Sequence, residues 1–457
     1  MIDAATFVEQ NLDRYVEELS EFASIPSVSS QSTGILEAAQ WVARALERRG
    51  VKAQVLPTAG NPVVVGTIGN GARTVLLYNH YDVQPPEPID AWTTPPFQPS
   101  LRDGKLYARG AMDDKGEIVA RLAALDVLRE RYGEDLPLAL TFFVEGEEEN
   151  GSRNLEPFIL EHRDLLAADA CIWEAGQVDG EGRPYLWLGV RGLLYVELIA
   201  RTLRHDAHSG WAHVLPNAAW RLIDAITTLR DHDGNVTIDG FCDELTGPTP
   251  RQYELLRNMP DEASTYRVEY GVQRFVGGRE GFAHREAVFS PTCNISGIWA
   301  GHIEHGNKTV IPGTAHARID FRLAPDQNPE QCLRALRDHL ERHGFGDIEI
   351  IAREGQRAAC SDPDHPFIEL AIDVLREHYG CDPLVTPMVG GTGPASQVVR
   401  HLGVPFASIG CSYPGSRKHA PDENVRLSDF VRGAGAIADL LDRYSLSSTS
   451  PSIFASR

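Results

Sequence analysis

Cysteine is scarce in this chain and shows no pairing. Seven occur among 457 residues, at positions 171, 242, 293, 332, 360, 381 and 411, an odd number with no CxxC spacing. That excludes a disulfide-stapled scaffold and a four-cysteine zinc module, and it fits a reducing compartment in which the thiols serve as small core residues. Positive charge is also short. Lys and Arg total 43 against 64 Asp and Glu, a formal net charge of -21, and such a field repels nucleic-acid phosphates and anionic membrane surfaces. No window approaches the roughly 18 apolar residues of a membrane span. The opening MIDAATFVEQNLDRYVEEL is acidic where an export signal is basic. The expected setting is the cytoplasm, with neither nucleic acid nor membrane as a partner, and a small substrate or a metal cation suits the charge.

The length suggests two or three folding units. Phe7, Leu12, Val16, Leu19 and Phe22 fall near helical spacing before Pro26, and 35–49 reads as a second helix ahead of Gly50. The runs VKAQVL, NPVVVGTI and TVLLYNH read as strands, 116–132 as a helix and LALTFFVEG as a further strand. Strands alternating with helices predict an α/β sheet covered on both faces. From about residue 184 the pattern changes. LWLGVRGLLYVELIA reads as one long strand, PNAAWRLIDAITTLR as a helix, TCNISGI as a strand, and TAHARIDFRLAP as a strand in which alternate residues are apolar; helix PEQCLRALRDHLERH and strand DIEIIA follow. This β-α-β-β-α-β order is that of a ferredoxin-like sandwich, inserted into the first unit. Residues 231–291 lack clear periodicity and read as an insertion. After about 360, HPFIELAIDVLREHYG and VPFASIG resume the first pattern.

Chemistry-bearing residues collect at the predicted strand ends. His80-x-Asp82 closes an apolar run, and period-2 geometry puts both side chains on one side. Alone, the pair reads more readily as a polar surface turn. In ARGAMDDKGE, Asp113 and Asp114 sit directly before a helix, where a capping role is by itself the favoured account. EGEEENGS is harder to dismiss, because four acidic residues in five positions repel one another unless a cation sits among them. His419 also follows a predicted strand, whereas GHIEH at 301–305 lacks the spacing of a zinc helix and reads as surface. Together these strand ends make a hard-ligand site for two divalent metals.

In order along the chain, HYDVQP, ARGAMDDKG, EGEEENGS, DAHSG, KTVIPG with FRLAP, GGTGP and KHAPDE resemble the motifs of the M20 family of dinuclear zinc metallopeptidases, and the DDKG form is similar to its dipeptidase branch, that of cytosolic nonspecific dipeptidase and carnosinase. LSEFASIPSVS near the start also fits, and the resemblance spans nearly the whole chain. It implies an α/β catalytic domain, a mixed sheet sandwiched by helices, with an inserted ferredoxin-like lid and dimerisation domain. The expected divisions are a catalytic first part over 1–188, the lid over 189–355, a catalytic second part over 356–444 and a disordered tail over 445–457.

Carried over by position, the resemblance implies that His80, Asp113 and Glu174 bind one metal while Asp113, Glu149 and His419 bind the other, Asp113 bridging. The metals would be zinc, with manganese or cobalt as alternatives. Asp82 would orient His80, and Glu148 would act as general base. Spacing alone leaves the frame through the three glutamates open; anchored on Gly151 and Ser152, the family's adjacent pair falls on Glu148 and Glu149. His208 matches a histidine that reaches the active site of the partner subunit in a homodimer. Thr309, Arg322 and Thr392 match residues that hold the substrate and its terminal carboxylate; without the resemblance, Arg322 is an outward residue on an alternating strand and the threonines are turn residues. Two departures stand out. CIWEA puts Glu174 where the dipeptidase branch has aspartate, a feature of the deacylase and carboxypeptidase branches, and SGWAHVLPNAA lacks the usual glycine pair after His208. The expected activity is hydrolysis of dipeptides or short aminoacyl amides bearing a free carboxylate. An N-acyl amino acid deacylase or desuccinylase of the same fold, and a catalytically silent dimeric binding protein, are the alternatives.

Overall fold

The structure, a computed structural model, describes residues 2–447. Its chain divides into two compact units, one comprising Met1–Leu188, Ser361–Pro387 and Gly393–Arg457, the other Gly189–Cys360 and Met388–Thr392. The second unit thus runs on past the expected limit at 355, and the short segment 388–392, expected in the catalytic part, groups with it. Of the tail expected to be disordered over 445–457, the first residues belong to the last helix, Leu427–Leu446; the part from 448 on lies outside the described residues. No helix among the described residues is long and apolar enough to cross a membrane.

The first unit is built on an eight-stranded mixed sheet. In spatial order its strands are Lys52–Leu56, Val63–Ile68, Ala139–Glu145, Thr74–His80, Ala170–Trp173, Phe406–Ser408, Tyr185–Trp187 and Leu384–Thr386. The four in the middle, from Ala139–Glu145 to Phe406–Ser408, are mutually parallel. Their C-terminal ends therefore share one edge. Strands buried on both faces must be apolar throughout, as ALTFFVE and TVLLYNH are. The helix predicted over 116–132 spans Lys115–Tyr132 and is buried on nearly every side, packing against Leu427–Leu446. The first predicted helix is two, Ala4–Gln10 and Leu12–Ala23, separated at Asn11, whose side chain bonds the Phe7 carbonyl.

The second unit is a four-stranded antiparallel sheet in the order Asn294–Ala300, Thr314–Leu323, Gly192–Arg201, Glu349–Gln356. With helices Ala218–Ile226 and Pro329–Arg342 this is the ferredoxin-like arrangement. The alternation in TAHARIDFRL holds: Ala315, Ala317, Ile319, Phe321 and Leu323 are buried in the core. The one long strand expected over LWLGVRGLLYVELIA is three, Tyr185–Trp187 in the large sheet, Gly189–Val190 paired with Ala359–Cys360, and Gly192–Arg201. Arg191 sits at the break, its guanidinium turned onto the Ser290 and Arg322 carbonyls. The unreadable stretch 231–291 contains three short helices, Pro250–Asn258, Ala263–Tyr270 and Phe282–Glu286.

Candidate metal centre

The shared edge of parallel strands gathers residues remote in sequence. His80 ends its strand, Glu148 and Glu149 follow Ala139–Glu145, Glu174 follows Ala170–Trp173, and the segment after Phe406–Ser408 leads to His419. Asp113 reaches the same point from the loop before helix Lys115–Tyr132. Its carboxylate is the hub: Oδ1 lies 3.3 Å from His80 Nε2, and Oδ2 lies 3.1 Å from His419 Nε2. Glu149 Oε2 is 3.2 Å from His419 Nε2, and Glu174 Oε2 is 3.9 Å from His80 Nε2. Asp113 thus offers one oxygen to each imidazole, with a further carboxylate beside each.

Charge explains why these groups need one another. Burial pushes the Asp113 carboxyl up, but Lys418, His419 and His80 more than offset it and hold it well below the usual carboxylate range. His419 is pushed up to about 10 by its contacts with Asp113 and Glu149. Burial would lower His80, yet Asp113 and Asp82 raise it well above an ordinary imidazole. Burial, with Glu148 adding to it, raises Glu174 well above its usual value. Burial likewise pushes Glu148 up to about 8 despite His80.

The three glutamates of EGEEENGS have different surroundings. Glu147 accepts from Asn61 N at 3.1 Å and Asn154 Nδ2 at 2.8 Å. Glu149 accepts from Gln84 Nε2 at 2.9 Å beside His419. Glu148 lies among His80, Glu149, Asp113 and Asp82 electrostatically. The Asp82 carboxylate differs from the expectation. It accepts from the backbone N–H groups of Glu148 and Glu149 at 3.2 and 3.1 Å, while its backbone carbonyl, 3.0 Å from His80 Nδ1, is nearer that ring than its carboxylate at 3.4 Å. Asp82 therefore orients the ring chiefly through its main chain and spends its side chain on the glutamate loop. Asp114, the other half of the DDKG pair, makes no side-chain cap; it accepts from Asn79 Nδ2 at 2.6 Å and His80 N at 3.2 Å.

Whether divalent cations suit this site is answered by two oxygens. Glu149 Oε1 and Glu174 Oε2 are buried with no hydrogen-bond partner, each next to an Asp113–imidazole pair. A buried carboxylate oxygen left without a partner is costly, and carboxylate and imidazole are fitting donors for zinc or manganese. The residues fit two cations. Ligand atoms within 4.8 Å of one another are offered by Asp113, Glu149 and His419, by His80, Asp113 and Asp114, with Glu174 standing farther out, and by a separate cluster, Asp239 with His339 and His343; the donors of this last cluster are spoken for. Arg342 sits 2.9 Å from the Asp239 carboxylate, the Asp239 N–H donates to His339 Nδ1, and Thr228 takes His339 Nε2.

The other expected site residues lie in the second unit. His208, on the short strand Ala207–His208, is exposed, and its Nδ1 accepts from Gly210 N. Thr309 is exposed nearby, its carbonyl bonded to Ser209 N. Arg322 Nη1 donates to Thr392 Oγ1 at 2.6 Å, and Thr392 donates in turn to the Gly192 carbonyl. Arg322 makes no ion pair with a carboxylate among the described residues.

One residue the motif reading passed over is Glu423. Fully buried, it accepts from the N–H groups of Gly110, Met112 and Asp113 at 2.9–3.0 Å and from Arg109 Nη1 at 2.6 Å. It ties down the loop that presents Asp113. Its place at the end of KHAPDE was visible; its partners, some 310 residues away in sequence, were not.

A mixed sheet with carboxylates and imidazoles converging at the ends of parallel strands is the build of a metal-dependent hydrolase. The chain belongs to peptidase family M20/M25/M40, whose family model matches residues 76–443. It is 29% identical to a cysteinylglycine-S-conjugate dipeptidase of Corynebacterium striatum over 95% of this chain and 96% of that protein. It is 26% identical to a Beta-Ala-His dipeptidase of Rattus norvegicus over 94% and 93%. Among solved structures it is similar to an M20 family metallo-carboxypeptidase from Sulfolobus solfataricus, with 35% identity, a TM-score of 0.88 and coverage of 95% of this chain and 99% of that one.

Changing Glu423 to Gln puts an amide N–H₂ where donors now converge. The variant should bind zinc about tenfold or more weakly, read as zinc retained per chain after gel filtration in the presence of a competing chelator.

Proposed function

We propose that this M20 metallopeptidase is a two-metal dipeptidase, cleaving short peptides at the bond next to a free C-terminal carboxylate. The observation that carries the reading is the Asp113 carboxylate facing His80 with one oxygen and His419 with the other, flanked by the unpartnered oxygens of Glu174 and Glu149. His80, Asp113 and Glu174 would hold one cation, and Asp113, Glu149 and His419 the second, zinc being the first choice. When bound, such ions supply Lewis acidity and make water a competent nucleophile at neutral pH.

Glu148 is the proton carrier. Burial among carboxylates pushes its carboxyl up to about 8, and the ionised form is thereby made a stronger base, suited to take a proton from the attacking water and return it to the leaving amine. Asp82, by bonding the consecutive N–H groups of Glu148 and Glu149, fixes base and ligand together. Arg322, with its charge not matched by a carboxylate, suits the substrate's terminal carboxylate, with Thr392 orienting its guanidinium. Thr309 and His208 are assigned to substrate and to the tetrahedral intermediate, respectively, His208 serving the partner subunit. The peptidase relatives favour this over a deacylase, and competent residue types at every ligand position and at Glu148 argue against a silent binding protein.

A second reading has its own support. The carboxypeptidase likeness at 35% identity, with glutamate at 174, favours removal of C-terminal residues from longer chains. A metal-supplemented screen of dipeptides, tripeptides and N-acyl amino acids decides. Dipeptide turnover with intact tripeptides supports the dipeptidase; release of C-terminal residues from tripeptides supports the carboxypeptidase; acetate or succinate release alone overturns both.

The homodimer also belongs here. Trp220 and Ile223 on helix Ala218–Ile226 are exposed, and the edge strand Asn294–Ala300 exposes Ile295 and Ile298. An apolar edge strand invites pairing with a second copy. The cytoplasmic setting is supported by the seven cysteines, all free.

Glu148→Gln should keep both metals and lose about 10²–10⁴-fold in kcat, whereas Glu149→Gln should lower metal content as well; the reverse pattern, read by metal analysis beside single-turnover kinetics, would exchange their roles. Ile298→Asp should shift the chain from dimer to monomer in light scattering, with zinc content unchanged.

A further inference from the structure

We propose that the buried Glu117–Arg121 pair is a positioning device for the metal centre, holding the backbone of Glu174 and of the segment that leads to His419 in fixed register. It rests on the metallopeptidase reading above. The two residues are four apart on helix Lys115–Tyr132, and both side chains are 0% exposed. A buried ion pair is poor value for stability alone, since apolar residues of similar volume often serve as well. The helix is otherwise lined by Ile118, Val119, Leu122 and Leu125, and such residues at 117 and 121 would suit the same packing. What the pair adds is donors and acceptors aimed at particular backbone groups.

Arg121 Nη2 donates to the carbonyls of Trp173, Glu174 and Ile409 at 2.9, 2.8 and 3.0 Å. Its Nη1 bonds the Glu117 carbonyl at 3.1 Å and the Glu117 carboxylate. Glu117 Oε1 accepts from Cys411 N at 2.7 Å. These partners are the exits of two adjacent parallel strands, Ala170–Trp173 and Phe406–Ser408. One exit carries Glu174, and the other leads to His419.

The exits approach so closely that neither Gly176 nor Gly410 has room for a side chain of its own. A Cβ on Gly410 would lie 2.2 Å from Glu117 Oε1 and 2.5 Å from Gly176 N, and one on Gly176 would lie 2.1 Å from Gly410 N. The exits bond each other directly farther along, Ser412 N to the Gly176 carbonyl at 3.0 Å and Val178 N to the Ser412 carbonyl at 2.9 Å, and at Trp173, Glu174 and Ile409 the guanidinium bonds both at once. Glu174 makes this matter, because its Oε2 has no hydrogen-bond partner, so the carboxylate is aimed by its backbone, and Arg121 holds that backbone. Neither Arg121 nor Glu117 bonds the Glu174 carboxylate or the His419 ring; both act through main chain.

The test uses the full chain stripped of metal, as wild type, Arg121→Met, Arg121→Lys, Glu117→Gln and the double Glu117→Leu/Arg121→Met, the double leaving no lone buried charge. Zinc affinities are read by competition with a chromophoric chelator, apo stability by thermal unfolding, and amide exchange at Glu174 and Cys411 by mass spectrometry. The expected result for Arg121→Met is an affinity loss of about tenfold or more at the site of His80, Asp113 and Glu174, whose Glu174 backbone Arg121 bonds directly, with the other site, whose His419 lies ten residues beyond Ile409, within about threefold, and faster exchange at both amides in the apo chain. Arg121→Lys should recover part of the loss, and it decides the matter if Arg121→Met does not fold. Two zinc affinities within about threefold of wild type in a folded Arg121 variant would overturn the proposal. So would an equal fall at both sites that tracks apo stability, since that is what a merely structural role gives. A wild-type chain that takes up no zinc at all would sink the metallopeptidase reading itself, and this proposal with it.

Discussion

The negative charge at the ends of the parallel strands is the constraint on which the rest of the first unit depends. Asp113, Glu148, Glu149 and Glu174 converge on two imidazoles, and in that buried space carboxylates cannot all ionise without compensation. The chain's own responses are visible in Glu148 and Glu174, pushed up by burial, and in His80 and His419, pushed up by their carboxylate neighbours. These raised values are one sign of the crowding, and the oxygens left without partners on Glu149 and Glu174 are another. The surrounding framework exists to keep these groups from relaxing apart: Asp82 under the glutamate loop, Glu423 under the Asp113 loop, Asp114 on the backbone of His80.

Much of this was legible in the sequence, for a definable reason. Apolar runs that end in His, Asp or Glu announce strand ends, and the alternation in TAHARIDFRL announced a half-buried strand whose inward residues are those now in the core. Adjacency was not legible. Nothing local says that the strand before Glu174 lies beside the one before His419, and motif order alone joined them. The three glutamates were unresolved by spacing because the difference among them lies in Asn61, Asn154 and Gln84, all outside the motif. Glu117 and Arg121 went unnoticed because a charged pair four apart on a helix usually faces water, and only the apolar run around it hints otherwise. The helix at Pro250–Asn258 did carry a readable signal, a Thr249–Gln252 capping box with proline at its first position. It was lost in a polar stretch too short-period to score.

The two units divide their tasks by chemistry. The first holds the carboxylates and imidazoles that suit metal, on strands buried from both sides and braced by two long helices. The second offers an exposed histidine on a short two-stranded ribbon and, on a sheet with helices Ala218–Ile226 and Pro329–Arg342, an arginine whose charge is not matched by a carboxylate. An antiparallel sheet tolerates a polar face and an open edge, and a parallel one does not. On the proposed function, rigid chemistry and adaptable recognition would fall to architectures that suit them.

Chemically, Glu147, Glu148 and Glu149 are three copies of one side chain in a row, and a code with three identical letters is ambiguous. The fold removes the ambiguity from outside, by giving the first a pair of asparagines, the third a glutamine and a histidine, and the middle one none of these. Since Asp82 grips two successive amides of that row, sliding the loop by one residue would break both grips at once. Identity here is conferred by address rather than by type, so a sequence comparison that counts glutamates in this loop will miss changes in Gln84 or Asn154 that reassign them.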